Sequence, residues 1–258
     1  MTFYPGFDIH YNLENKEFTY SKGVFGPEME KRRLDDIRQS LKDPNCDGPD
    51  VVYTIAMDVG REEDKEDLEN RSLLYGACIY AKGRLGNEPV RSQGHVHAVS
   101  KSCNSSTPEL YEIWHGEAII FMQETAKYDP GKVFAVKAKP GDVVLVPPGW
   151  AHCTINTNPD ENMVFGAWCI RDFGFDYAGV RKNGGLAYFP IFSRNEIEFI
   201  HNTAYKKNNL IIKEPREYKE FQIDKGIPIY QQFIEHKDKF SFITQPCQYN
   251  ELWQTFIP

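Results

Sequence analysis

Cysteine is sparse and unpatterned in this chain. Six cysteines stand among 258 residues, at positions 46, 78, 103, 153, 169 and 247, and no two form a CxxC pair. That spread excludes a small disulfide-held scaffold and predicts reduced thiols in a cytoplasmic protein. Long apolar runs are missing too. None approaches the roughly 18 residues of a membrane span, so no membrane association is expected. The opening MTFYPGFDIHYNLENKEF carries no basic segment followed by an apolar one, and no secretory leader is expected there. Positive charge is short as well: 30 Lys and Arg face 37 Asp and Glu, for a net charge of −7. Phosphate backbones are held by clustered Lys and Arg, so this balance argues against nucleic acid as a partner. Neither an internal repeat nor a low-complexity tract is present.

What remains is enough chain for one sizeable core. Residues Gly26 to Asp43 place Met29, Leu34, Ile37 and Leu41 at near-helical spacing, and DPNCDGPD stops the pattern, which predicts a helix. The mixed-sign run REEDKEDLENR, Arg61 to Arg71, reads as a solvated loop or hairpin tip. The signal then turns to strands. VVYTIAMDV, LLYGACIYA, a stretch ending in HVH, ELYEIWHGEAIIFMQE, KVFAVKAKPGDVVLVPPGWAHCTINT and MVFGAWCI are short, β-branched or aromatic, and divided by Gly/Pro turns. Strands at such regular spacing predict an all-β sandwich or barrel over residues 50–180. Residues 1–49 are then an arm and helix packed on the barrel, and 181–258 an extension wrapping it.

Side chains at i and i+2 of a strand share a face, so His95 and His97 of HVH project into one space while Val96 points away. Neutral imidazole is a common ligand for divalent metals. Glu109 heads the next strand, and His152 follows the tight PPGW turn, from which its ring can reach the same barrel mouth. Three imidazoles and one carboxylate leave open positions on an octahedral ion, iron(II) first and manganese(II) or another divalent ion second. Glu112 is the alternative carboxylate, disfavoured because it sits on the opposite face of the strand from Glu109. Arg91, Lys101 and Arg171 are candidate neutralisers of an anionic substrate, although each reads first as a solvated surface charge.

GHVHA followed by ELYEIWHGEA and PGDVVLVPPGWAHCTINT resembles the paired motifs of the cupin superfamily. GNEPVRSQGHVH, VPPGWAHCTIN and the later DYA are similar, more narrowly, to the cupin-type glucose-6-phosphate isomerases. The likeness runs from about residue 30 to about residue 177. It implies a jelly-roll-like double-stranded β-barrel, a homodimer and a metal-dependent aldose–ketose isomerase working in glycolysis and gluconeogenesis. It further implies metal ligation by His95, His97, Glu109 and His152, catalysis by Glu109 with Tyr111, and a phosphate pocket of Tyr53, Ser92, Gly94 and Tyr177. Cys78, Cys169 and Phe175 depart from the family pattern where polar groups are expected near the phosphate. Other chemistry stays open at this stage: isomerisation of another sugar, an iron dioxygenase, or sugar binding without turnover.

Overall fold

The computed structural model describes residues 3–194 and 196–258. Two sheets face each other. The first has six strands in the order Val143–Val146, Glu109–His115, Met163–Ile170, Leu73–Tyr80, Val51–Met57 and Glu30–Arg33. The second has four, in the order Ala151–Asn156, Ala118–Gln123, Val133–Ala138 and Leu210–Lys213. From Glu109 onward successive strands cross repeatedly from one sheet to the other, which is the jelly-roll weave of an all-β cupin barrel. Each crossing needs a sharp turn. At Gly116 the backbone has φ +72, and an added Cβ would lie 2.8 Å from the Asn162 carbonyl, so HGE turns only with glycine.

Alternation along the strands explains how the barrel is filled. Ile120, Met122, Phe134, Val136 and Phe165 point into the space between the sheets. Their neighbours Ile119, Phe121, Val133 and Ala135 point outward and are covered by residues from Val180 to Tyr205. The outer face of the six-stranded sheet is covered in turn: Tyr75, Trp114 and Trp168 pack against Phe7 and against Tyr218, Tyr230, Phe233 and Phe240. Sheets covered on both sides lose the simple in–out polarity pattern, and the Leu73–Tyr80 and Met163–Ile170 strands are buried along their whole length. The sheets also recruit strands from outside residues 50–180, since Glu30–Arg33 pairs with Val51–Met57 and Leu210–Lys213 runs parallel to Val133–Ala138.

Two local expectations are corrected. Only Leu34–Ile37 and a 3₁₀ turn at Arg38–Ser40 are helical within the segment 26–43, and Glu30–Arg33 is a strand. Leu34, Ile37 and Leu41 are buried, so the apolar positions were real, but the two arginines and Glu30 gain more from sheet pairing than from another helical turn. The charged run 61–71 is likewise no solvated tip. It forms a 3₁₀ turn and the helix Lys65–Asn70, with Leu68 fully buried and Asp64 held between Arg61 and Lys237. Lys237 lies in the C-terminal segment, so this buried carboxylate ties residues far apart in sequence. No helix among the described residues is long and apolar enough to cross a membrane.

Aromatic packing makes the C-terminal segment part of the core. Phe233 is fully buried with its ring 5.2 Å from that of Trp168. Phe233→Ala is expected to cost about 3–5 kcal/mol of stability, read as a lower urea midpoint. An unchanged midpoint would detach this segment from the core.

Candidate metal centre

His95 and His152 are joined through their backbones before their rings meet. His95 N donates to His152 O at 3.0 Å and His152 N donates to His95 O at 2.9 Å, an antiparallel bridge between two strand ends. Residues opposed in this way share a face, and the ring centroids lie 4.4 Å apart. The stretch expected as a full histidine strand is shorter than that: only Val96–His97 is strand, paired with Phe175–Asp176. Glu109 enters from the other sheet, where it heads the Glu109–His115 strand opposite Val146. One ligand atom each from His95, His97, Glu109 and His152 lies within 4.8 Å of every other.

Hydrogen bonds to the far ring nitrogens fix which atoms face inward. His97 Nδ1 lies 2.9 Å from the Thr107 carbonyl and His152 Nδ1 3.0 Å from the Trp150 carbonyl. A carbonyl only accepts, so each Nδ1 carries the proton and each Nε2 keeps its lone pair when the ring is neutral. Both Nε2 atoms sit 3.2 Å from Glu109 Oε2. His95 Nε2 is buried with no hydrogen-bond partner. Burial first, then the neighbouring His152 and His97, push His95 well below the ordinary histidine range, so its ring is neutral. Burial opposes ionisation of Glu109, but His152 and His97, when protonated, outweigh it and hold the carboxyl far below the usual carboxylate range; when they are neutral their Nε2 lone pairs face it instead. Three imidazole lone pairs therefore converge on a carboxylate. The one proton supplied to that oxygen from outside the histidines is from Tyr111, whose hydroxyl donates to Glu109 Oε2 at 2.6 Å. A divalent cation would suit this donor set, including the unpartnered His95 Nε2.

Several of the supporting bonds come from the segment 100–108, SKSCNSSTP, between His97 and Glu109. Thr107 carries the carbonyl that orients His97. Ser106 Oγ donates to the His97 carbonyl at 2.7 Å and accepts from Gly149 N at 2.9 Å, linking the His97 segment to the turn that aims His152.

A family profile described as glucose-6-phosphate isomerase (GPI) matches residues 34–207. The glucose-6-phosphate isomerase of Thermococcus onnurineus is 30% identical over 156 residues, covering 60% of this chain and 74% of that protein. The one from Thermococcus kodakarensis is 28% identical over 182 residues, covering 68% of this chain and 87% of that protein. The chain belongs to the glucose-6-phosphate isomerase family. Among solved structures, a mutant of Bacillus subtilis oxalate decarboxylase aligns over 63% of this chain and 32% of that one, at 15% identity and a TM-score of 0.35.

In this member of the isomerase family His95, His97 and Glu109 border a cavity of about 180 Å³, and His152 stands behind them, off its walls. Tyr53, Ser92, Tyr111 and Tyr177 line it. Gly94 does not; its backbone has φ +89, and a Cβ there would press on Leu186 at 3.1 Å, so it shapes the turn into His95. Cys78, Cys169 and Phe175 are on the walls, where they make one side of the cavity apolar. Burial raises both thiols, Cys78 and Cys169, well above the ordinary cysteine range, which leaves them protonated and inert.

The cations first considered for an anionic substrate are elsewhere. Arg91 is buried in an ion pair with Glu88, and Arg171 grips Asp58 with two nitrogens. Neither is a free surface charge, and neither they nor Lys101 line the cavity. Glu30 and Arg32 do, and the sequence reading missed them. Their signal was an alternation of period two inside a segment that also satisfied a helical period.

Glu112 faces the outer core. Its Oε1 accepts from Ile229 N at 2.9 Å, while Oε2 has no partner, and burial pushes its carboxyl up to about 8. A raised carboxyl favours the neutral form in the fold. Its stabilising share is complete below the ordinary value of 4.5 and is lost as pH climbs to about 8. Glu112→Gln is expected to flatten the fall in melting temperature across that window, with the variant gaining on the wild type as pH rises. Parallel pH profiles would show that Glu112 titrates normally.

Proposed function

We propose that this chain interconverts glucose 6-phosphate and fructose 6-phosphate with a divalent ion held by His95, His97, Glu109 and His152, iron(II) first and manganese(II) second. The observation that carries the reading is the convergence of these four donors, one of them an unpartnered buried imidazole, beside a cavity that three of them line, in a chain from the isomerase family. A bound ion would polarise the sugar's C1 and C2 oxygens. Glu109 does the proton work. Its Oε2 is committed to Tyr111, His97 and His152, which leaves Oε1 to take the C2 proton and return it to C1 through a cis-enediol. Tyr111 fixes the carboxylate's rotation by its hydroxyl, and its own ring is held by Phe165 at 5.1 Å. Tyr53, Ser92 and Tyr177 position the far end of the sugar, and Gly94 sets the turn beside them.

A coupled assay of fructose 6-phosphate conversion under anaerobic conditions, with iron(II) or manganese(II) supplied, tests the reading. Absence of turnover defeats it, and a requirement for oxygen moves the site to dioxygenase chemistry. The apolar wall of Cys78, Cys169 and Phe175 favours one second reading, an isomerase of an unphosphorylated sugar, and parallel assays with glucose and fructose separate the two. The reading also includes a cytoplasmic homodimer. Support for the pairing comes from the edge strand Leu210–Lys213, where Ile211 and Ile212 are 48% and 49% exposed. Sedimentation as a monomer would remove that part.

A further inference from the structure

Arg32 is the one Lys or Arg on the cavity walls among the described residues. It gets there by sheet register. Arg32 stands opposite Tyr53 and Glu30 opposite Ile55 in the pairing of Glu30–Arg33 with Val51–Met57, and Tyr53 and Ile55 both face the cavity. Lys31, between them, faces the other way. The strand then breaks register at Arg33, which pairs with Asp50 on the outside. Arg32 also lies upstream of the segment 34–207 that matches the family profile.

The surroundings of the guanidinium are those of an anion subsite. Tyr53 stands directly opposite Arg32 in the strand pairing, and Tyr177 lines the same cavity. Tyr53 is held by stacking on Tyr80 at 4.7 Å, and Tyr177 lies beneath Arg181 at 4.8 Å, so both hydroxyls have fixed positions. Cys78, Phe165 and Cys169, on the two strands beyond that of Tyr53 in the same sheet, offer a phosphate no cation and no strong donor. Arg32 is ion-paired with Glu30: its Nη1 is 2.6 Å from Glu30 Oε1. Glu30's side chain is 56% exposed and Arg32's is 26%, which makes the pair a weak, solvent-screened competitor for a buried dianion. Arginine's planar fork can keep one nitrogen on Glu30 while others meet phosphate oxygens.

We propose that Arg32 supplies the positive charge at the phosphate end of this cavity, beside the Tyr53 and Tyr177 already expected there, and so favours a sugar phosphate over the free sugar, with Glu30 moderating the affinity. The assignment rests on the isomerase reading for the identity of the sugar, but the anion site itself does not need turnover. Two measurements separate them.

Kinetically, Arg32→Ala is expected to raise KM for fructose 6-phosphate about 10- to 100-fold, the loss falling mainly on KM, with Arg32→Lys intermediate. Glu30→Gln, at an exposed position, is expected to lower KM a fewfold. Opposite signs at two residues on one face of a strand are the mark of charge and would not follow from damage to the fold. Independently, calorimetric titration of the full chain with inorganic phosphate is expected to show binding in the wild type, tighter binding in Glu30→Gln and none in Arg32→Ala. If the chain turns over no sugar phosphate yet Arg32→Ala abolishes phosphate binding, the isomerase reading falls and the subsite stands. If Arg32→Ala leaves both KM and phosphate binding unchanged, or Glu30→Gln weakens them, the subsite is overturned.

Discussion

Exhaustive dialysis against a chelator is expected to take isomerase activity to background, and iron(II) or manganese(II) to restore it. The expectation follows from the count of lone pairs at the site. His97 and His152 have spent their Nδ1 protons on the Thr107 and Trp150 carbonyls, so their inward Nε2 atoms are acceptors, and both look at a carboxylate oxygen 3.2 Å away. His95 Nε2 adds a third acceptor that nothing in the protein satisfies. In water each of these atoms would be hydrated; here they are brought together at a cost that a cation offsets and protons would offset less well. Folding without the ion thus leaves repulsion unrelieved. Metal addition to the stripped protein should also raise its melting temperature, by an amount equivalent to about 2.7 kcal/mol when the free ion reaches about 100 times its dissociation constant. His95→Ala should abolish that shift and lower activity by more than the 10- to 100-fold typical of a lost supporting bond around a metal. Full activity after chelation, with no metal detected in the protein, would remove the ion from the chemistry.

Much of this centre was legible because its donors lie in short words whose geometry is local. HVH puts two imidazoles on one side in any extended backbone, and PPGWAH aims a third through a turn that glycine and proline enforce. Glu109 over Glu112 rests on the ExY word with Gly116 after it and on strand parity, and the two carboxylates lie on opposite faces of the sheet: one meets imidazoles, the other meets Ile229 N. What was illegible depended on partners distant in the chain. Glu30 and Arg32 were hidden in a segment whose Met29, Leu34 and Ile37 satisfied a helix. Strand pairing with Val51–Met57 wins there because it gives the backbone a neighbouring ladder while leaving both charged side chains at a solvent-reached cavity. The run 61–71 was misread for a related reason. Its acidic surplus looks solvated until Lys237 arrives from the other end of the chain to hold Asp64. Gly94 is assigned to the pocket by resemblance and reads equally as a turn residue from its type, and its backbone at φ +89 favours the turn.

Glu109→Gln separates the two ways an aldose can become a ketose at this site. Glutamine keeps the side chain's shape and one acceptor oxygen, so the hydrogen bond from Tyr111 and the fit beside His97 and His152 can persist. It cannot take a proton from C2. If Glu109 Oε1 is the base, kcat should fall by about 10²–10⁴-fold, the usual share of general acid–base catalysis, with KM changed much less. The same variant should lose exchange of the C2 hydrogen with solvent deuterium in step with turnover, because one carboxylate performs both. The proton must also have time to leave: Oε1, free of partners at the cavity side while Oε2 carries every other contact, is the oxygen from which solvent exchange can occur. A hydride passing directly between C2 and C1 would need no base and would never meet solvent. Substantial turnover in Glu109→Gln, with wild-type product that carries no solvent deuterium, would therefore assign the reaction to that transfer and leave Glu109 as a holder of the ion alone.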